Sequence, residues 1–260
     1  MFENTIKYVR SLLPESPAAA VVLGSGLSNF SENLSGTIKI PYSEIAGYPL
    51  PTVQGHVGEL AFGYIGDVPV ICARGRFHYY EGHPIEIVTL PIRLFIGVGC
   101  GSVIITNAAG CVRRDWQLGN LMLINGHVDF TFRNSKADPE ICSGKGYYDP
   151  GLMALARKSA ENFQLPLREG CYCWTPGPTY ETPAEILKIR ELGGDAVGMS
   201  TVPEIEMAHE LGLPAMGISC LTNYAAGITD QPLSHAEVLE TTELAKKSFA
   251  QLVMGVLKTL

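Results

Sequence analysis

A chain of 260 residues, 46% hydrophobic and 17% charged, can bury one large core, so a single α/β domain over residues 1–260 is expected. Its formal net charge of −7 excludes the broad basic field of a nucleic-acid surface, and no apolar run approaches the roughly 18 residues of a membrane span. Glu3 among Phe2, Ile6 and Val9 is not a signal-peptide core, and an odd count of seven cysteines, with Cys72, Cys100 and Cys220 in or beside apolar runs, suits a reducing compartment, so a cytoplasmic location without a membrane partner is expected.

In chain order, the first apolar run of strand length, 18–23, ends in Gly24-Ser25-Gly26. Alone this is a tight turn. A dinucleotide fingerprint would need a third glycine where Asn29 stands, a P-loop would need a lysine well before Lys39, and a nucleophile elbow would need glycine in place of Leu23. What remains is a loop whose amides and Ser25 hydroxyl can cradle a small anion. Gly55-His56-Val57-Gly58 sets one imidazole between glycines, by itself only a turn. The next run, 68–73, leads into Gly75-Arg76-Phe77-His78-Tyr79-Tyr80-Glu81-Gly82, where a guanidinium suited to phosphate oxygens and a switchable imidazole emerge beyond a strand end. A third, 102–106, breaks into Thr106-Asn107-Ala108-Ala109-Gly110, small residues that let backbone N–H groups approach a ligand at the carboxyl end of a strand.

Further strands are expected at 121–124, 170–174 and 214–221, and the poorly patterned stretch 129–148 reads as a long functional loop. Cys171-Tyr172-Cys173 matches no zinc half-site, and no metal is expected. The proline-stiffened loop from Thr175 to Pro183 presents Tyr180 and Glu181 together, as a heterocycle with N–H donors would require. It runs into a helix over 183–192 that starts at the capping box Thr182…Glu185 and stops at Gly193-Gly194. Thr201-Val202-Pro203-Glu204 and Ser234-His235-Ala236-Glu237 open two more helices in the same way, the last with an apolar face of Val238, Phe249, Leu252, Val253 and Val256. Asn223, just past the run 214–221, carries an amide that can both donate and accept. Strands alternating with helical periodicity are the grammar of βαβ units.

Taken in order, Gly24-Ser25-Gly26-Leu27, Gly55-His56-x-Gly58, Gly75-Arg-Phe-His-x-Tyr-Glu-Gly82, Thr106-Asn-Ala-Ala-Gly110, Gly177-Pro-Thr-Tyr-Glu-Thr182, Val197-Gly-Met-Ser-Thr-Val-Pro-Glu204 and Thr222-Asn223 resemble the trimeric type of purine nucleoside phosphorylase. The resemblance implies a three-layer α/β/α fold with a mixed, partly barrel-like central sheet, assembled as a homotrimer. It implies phosphate held by Ser25, His56, Arg76, Phe77, His78, the amide of Ala108 and Ser200. Sugar contacts fall on Tyr80, Met199 and His235, and purine contacts on Tyr180, Glu181, Met199 and Asn223, with Asn223, Glu181 and His78 as the catalytic residues. The implied reaction is reversible phosphorolysis of a purine ribonucleoside or deoxyribonucleoside, inosine and guanosine foremost, with phosphate as co-substrate and no cofactor. The residues alone give Arg76, Glu181 and Asn223 the same roles, but would place Met199 in the core. Tyr180 stands where phenylalanine is more usual, and the loop 129–148 aligns poorly, so Phe130, Phe132 and Tyr147 are all candidates for the aromatic that a neighbouring subunit lends to the sugar. A rival, 5′-methylthioadenosine phosphorylase, typically has aspartate at the position of Asn223 and lacks a histidine matching His235. A non-catalytic purine sensor on the same fold could dispense with Arg76 or His78.

Overall fold

A computed structural model describes residues 2–53, 55–133, 137, 139–144, 146–229 and 235–260, with the side chains of 235–240 and 242 left aside. At the centre lies β1 (Ala19–Val22), whose four residues are all buried, as a strand covered on both faces requires. It runs parallel to β4 (Val68–Ala73) on one side and to β5 (Val103–Cys111) on the other. Beyond β4 the sheet continues antiparallel through β3 (Glu59–Ile65) to β2 (Ser35–Pro41). These two strands escape the sequence reading because Gly36 and Gly63 interrupt their apolar patterns. Gly63 is required there: a Cβ would stand 2.7 Å from the Ser35 carbonyl oxygen across the pair.

On its other edge the sheet curls into a ring. β5 pairs in parallel with β10 (Ala215–Tyr224), which runs antiparallel to β6 (Leu121–Asp129). β6 is parallel to β8 (Leu167–Trp174), and β8 to β9 (Ala196–Gly198). β9 returns to β5 through Gly110↔Val197 and Cys111↔Ala196, closing five strands. Within 129–148 the described regular structure is the short β7 (Cys142–Ser143), hydrogen-bonded to β6.

Helices flank this mixed sheet. α4 (Pro150–Asn162) packs with α7 (His235–Leu257), and both lie against β10; α1 (Phe2–Leu12) packs on α3 (Leu90–Gly97), which with α2 (Ile85–Val88) lies against α6 (Val202–Glu210), the helix that covers β5, β6 and β10. On α7, Phe249, Leu252, Val253 and Val256 are buried as expected, while the side chain of Val238 and the cap Ser234 lie outside what is described. α5 (Pro183–Glu191) carries the expected capping box: Glu185 N donates to Thr182 Oγ1 and Thr182 N to Glu185 Oε2. α6 departs from expectation. Thr201 precedes it, but at φ 75° its side chain makes no cap bond and turns to other partners. Cys72, Cys100, Cys111, Cys171, Cys173 and Cys220 are buried as free thiols. Among the described residues no helix is long and apolar enough to cross a membrane.

Candidate active site

The site arises where β5 exchanges neighbours. β1 pairs with it only as far as Ile105, and β9 begins only at Gly110, so along residues 106–109 one edge of the strand lacks a pairing partner. This gap at a strand's carboxyl end is where an α/β sheet receives a ligand. The turn after β1 is stapled beside it: Gly24 N donates to Thr106 Oγ1, which donates to the Val22 carbonyl at 2.8 Å. A Cβ on Gly24 would lie 2.7 Å from Asn107 Cα and 2.8 Å from the Thr106 oxygen, so only glycine allows this approach. The gap opens into a cleft lined by Gly24, Ser25, Arg76, His78, Tyr80, Ala108, Tyr180, Glu181, Met199, Ser200 and Asn223, among others.

One end of the cleft is built for an anion. Arg76, 1% exposed, donates through Nη1 to Ser200 Oγ at 2.7 Å and Thr201 Oγ1 at 3.2 Å, and through Nη2 to the Thr106 carbonyl at 2.7 Å. Behind it Glu204, equally buried, stands 3.6 Å from Nη2. Burial raises the Glu204 carboxyl pKa, against the pull of Arg76. Glu81 Oε1 accepts from His78 N at 2.6 Å and lies 3.3 Å from its Nδ1, while Oε2 accepts from the Thr52 amide and hydroxyl. Burial would raise Glu81, but these bonds from His78 and Thr52 outweigh it and hold the carboxyl below its usual range. The His78 ring stacks on Tyr80 with centroids 4.8 Å apart. Burial lowers His78, opposed by Glu81. His56 sits beside it, ring centroids 5.3 Å apart, with both ring nitrogens buried and without hydrogen bonds. Burial, then the neighbouring His78 and Arg76, push its pKa down to about 3.

The other end suits a flat heterocycle. Tyr180 is 44% exposed at the cleft, and the Glu181 carboxylate beside it accepts from Thr175 Oγ1 at 2.6 Å. Burial raises Glu181, and the Thr175 bond counters it. Gly177 lets the loop close over Met199 and Tyr80, since a Cβ there would fall 2.5 Å from Met199 Sδ and 2.7 Å from Tyr80 Cδ1. Asn223, buried, faces the same space from a bulged stretch of β10.

Ser25, Arg76, His78, Tyr80, Ala108, Tyr180, Glu181, Met199, Ser200 and Asn223 thus line one cavity, and His56 adjoins it through His78. Phe77 does not: its ring is 1% exposed and packs on Tyr42, Tyr48 and His83, so only its backbone is left for a ligand. The side chain of His235 lies outside the described residues. Asn107, Thr175, Thr201 and Glu204 were missed as site-building residues. Polar residues punctuating apolar strand ends were the available hint for Asn107 and Thr175; for Glu204, reading as a helix-capping acid hid a fully buried charge.

A sequence profile of the phosphorylase superfamily matches residues 18–258. The chain is 42% identical over 264 residues to purine nucleoside phosphorylase 1 of Bacillus subtilis strain 168, covering 98% of this chain and 96% of that one. Its structure is similar to that of Schistosoma mansoni purine nucleoside phosphorylase in complex with inosine, with a TM-score of 0.90, 29% identity and coverage of 100% and 96%. It is equally similar to isoform 2 from the same organism in complex with cytosine and ribose-1-phosphate, with a TM-score of 0.90, 30% identity and the same coverage.

Proposed function

Since this chain belongs to the purine nucleoside phosphorylases of the phosphorylase superfamily, we propose that its cleft cleaves 6-oxopurine nucleosides, inosine and guanosine and their deoxy forms, with phosphate as the attacking group. The observation that carries this reading is the meeting, in one cavity, of an anion end around Arg76 and Ser200 with a base end around Glu181 and Asn223. Phosphate is held by the Arg76 guanidinium, the hydroxyls of Ser25 and Ser200, the Ala108 amide, and the imidazoles of His56 and His78. The purine stacks on Tyr180, its N1–H donates to Glu181, and Asn223 donates to N7. Tyr80 and Met199 line the sugar, with His235 assigned to its 5′-hydroxyl.

As the C1′–N9 bond lengthens, positive charge gathers on the sugar and negative charge on the purine. A phosphate oxygen bonds to C1′ and the bond to N9 breaks; the proton of the phosphate monoanion or dianion ends on the purine. The products are free base and α-pentose 1-phosphate. The protein supplies position and charge stabilisation, with no covalent intermediate, metal or cofactor. Among the described residues no three His, Cys, Asp or Glu side chains gather as a metal-ligand set. The complex of the S. mansoni enzyme with inosine supports the substrate class, and asparagine at 223 disfavours a 6-aminopurine specialist.

The assembly proposed is a homotrimer, with Phe132 as the aromatic lent to a neighbour. Of the three candidates Phe130 is buried and Tyr147 packs on His127 and His209, whereas Phe132 is 45% exposed. Sedimentation tests the trimer. For the activity, hypoxanthine or guanine release should require added phosphate and survive a chelator. Equal rates in phosphate-free buffer, or loss to the chelator reversed by a divalent ion, would refute it.

A further inference from the structure

Thr175 lies at the end of β8, 4% exposed, where its amide donates to the Gly198 carbonyl at 2.9 Å and so fixes its backbone to β9. It does not line the cleft. Its hydroxyl reaches Glu181 Oε1 at 2.6 Å and, more distantly, the Gly198 oxygen at 3.3 Å. A single proton serves one acceptor well, and the short bond to a carboxylate takes it. The bond therefore joins the rigid ring to the proline-bounded loop that carries Glu181, six residues onward. A glutamate side chain has three rotatable bonds, and one oxygen held from behind leaves far fewer orientations for the other.

We propose that Thr175 is a positioning residue for base recognition: its hydroxyl holds one oxygen of the Glu181 carboxylate and so fixes the acceptor for the purine N1–H. This rests on the reading of Glu181 as that acceptor. A carboxylate sunk into the cleft wall is pushed toward its neutral form, and a neutral acid cannot accept from N1–H through the same oxygen as strongly. The Thr175 hydrogen bond opposes this because it favours the charged form. Valine, matching threonine in shape, would remove the donor without opening space. The Glu181 pKa would then climb further, and activity that needs the ionised form would be lost at higher pH than in the parent.

The test is the pH profile of kcat/KM for inosine at saturating phosphate. Thr175→Val should move the acid limb upward by about one pH unit, lowering kcat/KM by up to about tenfold at pH values below both limbs and leaving the KM for phosphate unchanged. Thr175→Ser should restore both. In a Glu181→Gln background, where position 181 no longer ionises, Thr175→Val should cause no further pH shift. An unmoved acid limb in a folded valine variant, or an equal loss in both backgrounds, overturns the proposal. Should valine prevent folding, Thr175→Ala read in the same way carries the test. If the parent itself does not cleave inosine with phosphate, it is the proposed function that fails, and the two failures are distinct.

Discussion

The amide of Asn223 is oriented before any base arrives, because Thr222 Oγ1 donates to its Oδ1 over 2.9 Å and its Nδ2 donates to the Tyr224 carbonyl over 3.1 Å. One Nδ2 hydrogen is thereby committed, and the other is free to meet a purine N7 or O6. Aspartate would keep the bond from Thr222 but set an ionised oxygen against both the Tyr224 carbonyl and the base oxygen. Asn223→Asp is therefore expected to lose at least tenfold in kcat/KM on inosine, about the worth of one charge-sensitive hydrogen bond, and to shift relative preference toward adenosine. Steady-state kinetics on both nucleosides check this, an unchanged preference in a folded variant meaning that the residue does not read the base. At this scale the sequence was informative where a polar side chain interrupts or follows an apolar run or a proline-stiffened loop, as at Arg76, Glu181 and Asn223. It was silent where the role depends on which way a side chain turns. Phe77, flanked by two residues that line the cleft, turns into the aromatic core, and Met199, which composition would bury, lines the cleft.

The start of α6 shows the same limit for a whole element. The Thr-x-Pro-Glu pattern locates the helix correctly, but its N-cap chemistry is replaced by a γ-turn in which Val202 N donates to the Ser200 carbonyl across Thr201 at φ 75°. This is a rare and strained conformation for a β-branched residue, costing about 1–3 kcal/mol. The Thr201 hydroxyl is thereby removed from the helix end and accepts from Arg76 Nη1 and from Asn107 Nδ2 at 2.8 Å. No local propensity encodes that exchange, since both partners are distant in sequence, Arg76 beyond β4 and Asn107 within β5. Thr201→Ala and Thr201→Gly both delete the hydroxyl, but only glycine also relieves the backbone. Both variants should raise the KM for phosphate several-fold, and the glycine variant should melt higher than the alanine one, by a margin of about 1 kcal/mol in stability. Alanine melting as high as glycine would show that the turn stores no strain.

Across the whole molecule, the sheet consists of a closed ring and an extension that share β5, and the Arg76–Glu204 pair joins them away from that strand. Arg76 follows β4 in the extension, while Glu204 lies on α6, directly after β9 of the ring. Alternating strands and helices made the α/β class legible, but ring closure was not, because β9 has three residues and its partner Gly110 sits in a motif readable only as a ligand loop. The buried pair was illegible for a related reason: two charges 128 positions apart acquire meaning only once the ring has formed. Removing one member leaves the other buried without its counter-charge, which costs about 3–5 kcal/mol, whereas removing both leaves no buried charge. Arg76→Leu and Glu204→Leu should each lower the urea midpoint by an amount in that range, and the double variant should lose less than the two losses added, while phosphorolysis disappears wherever Arg76 is absent. In Arg76→Leu the sign of the pH dependence follows from Glu204. Its carboxyl pKa, already raised by burial, rises further without the guanidinium, so the folded state holds a proton that the unfolded state has released. The deficit should accordingly be smallest below the ordinary carboxylate range and grow as pH climbs through the raised value. Additive losses in the double variant, or a deficit in Arg76→Leu that does not change with pH, would mean that the two charges are stabilised independently and that the ring and its extension are held together by β5 and apolar packing alone.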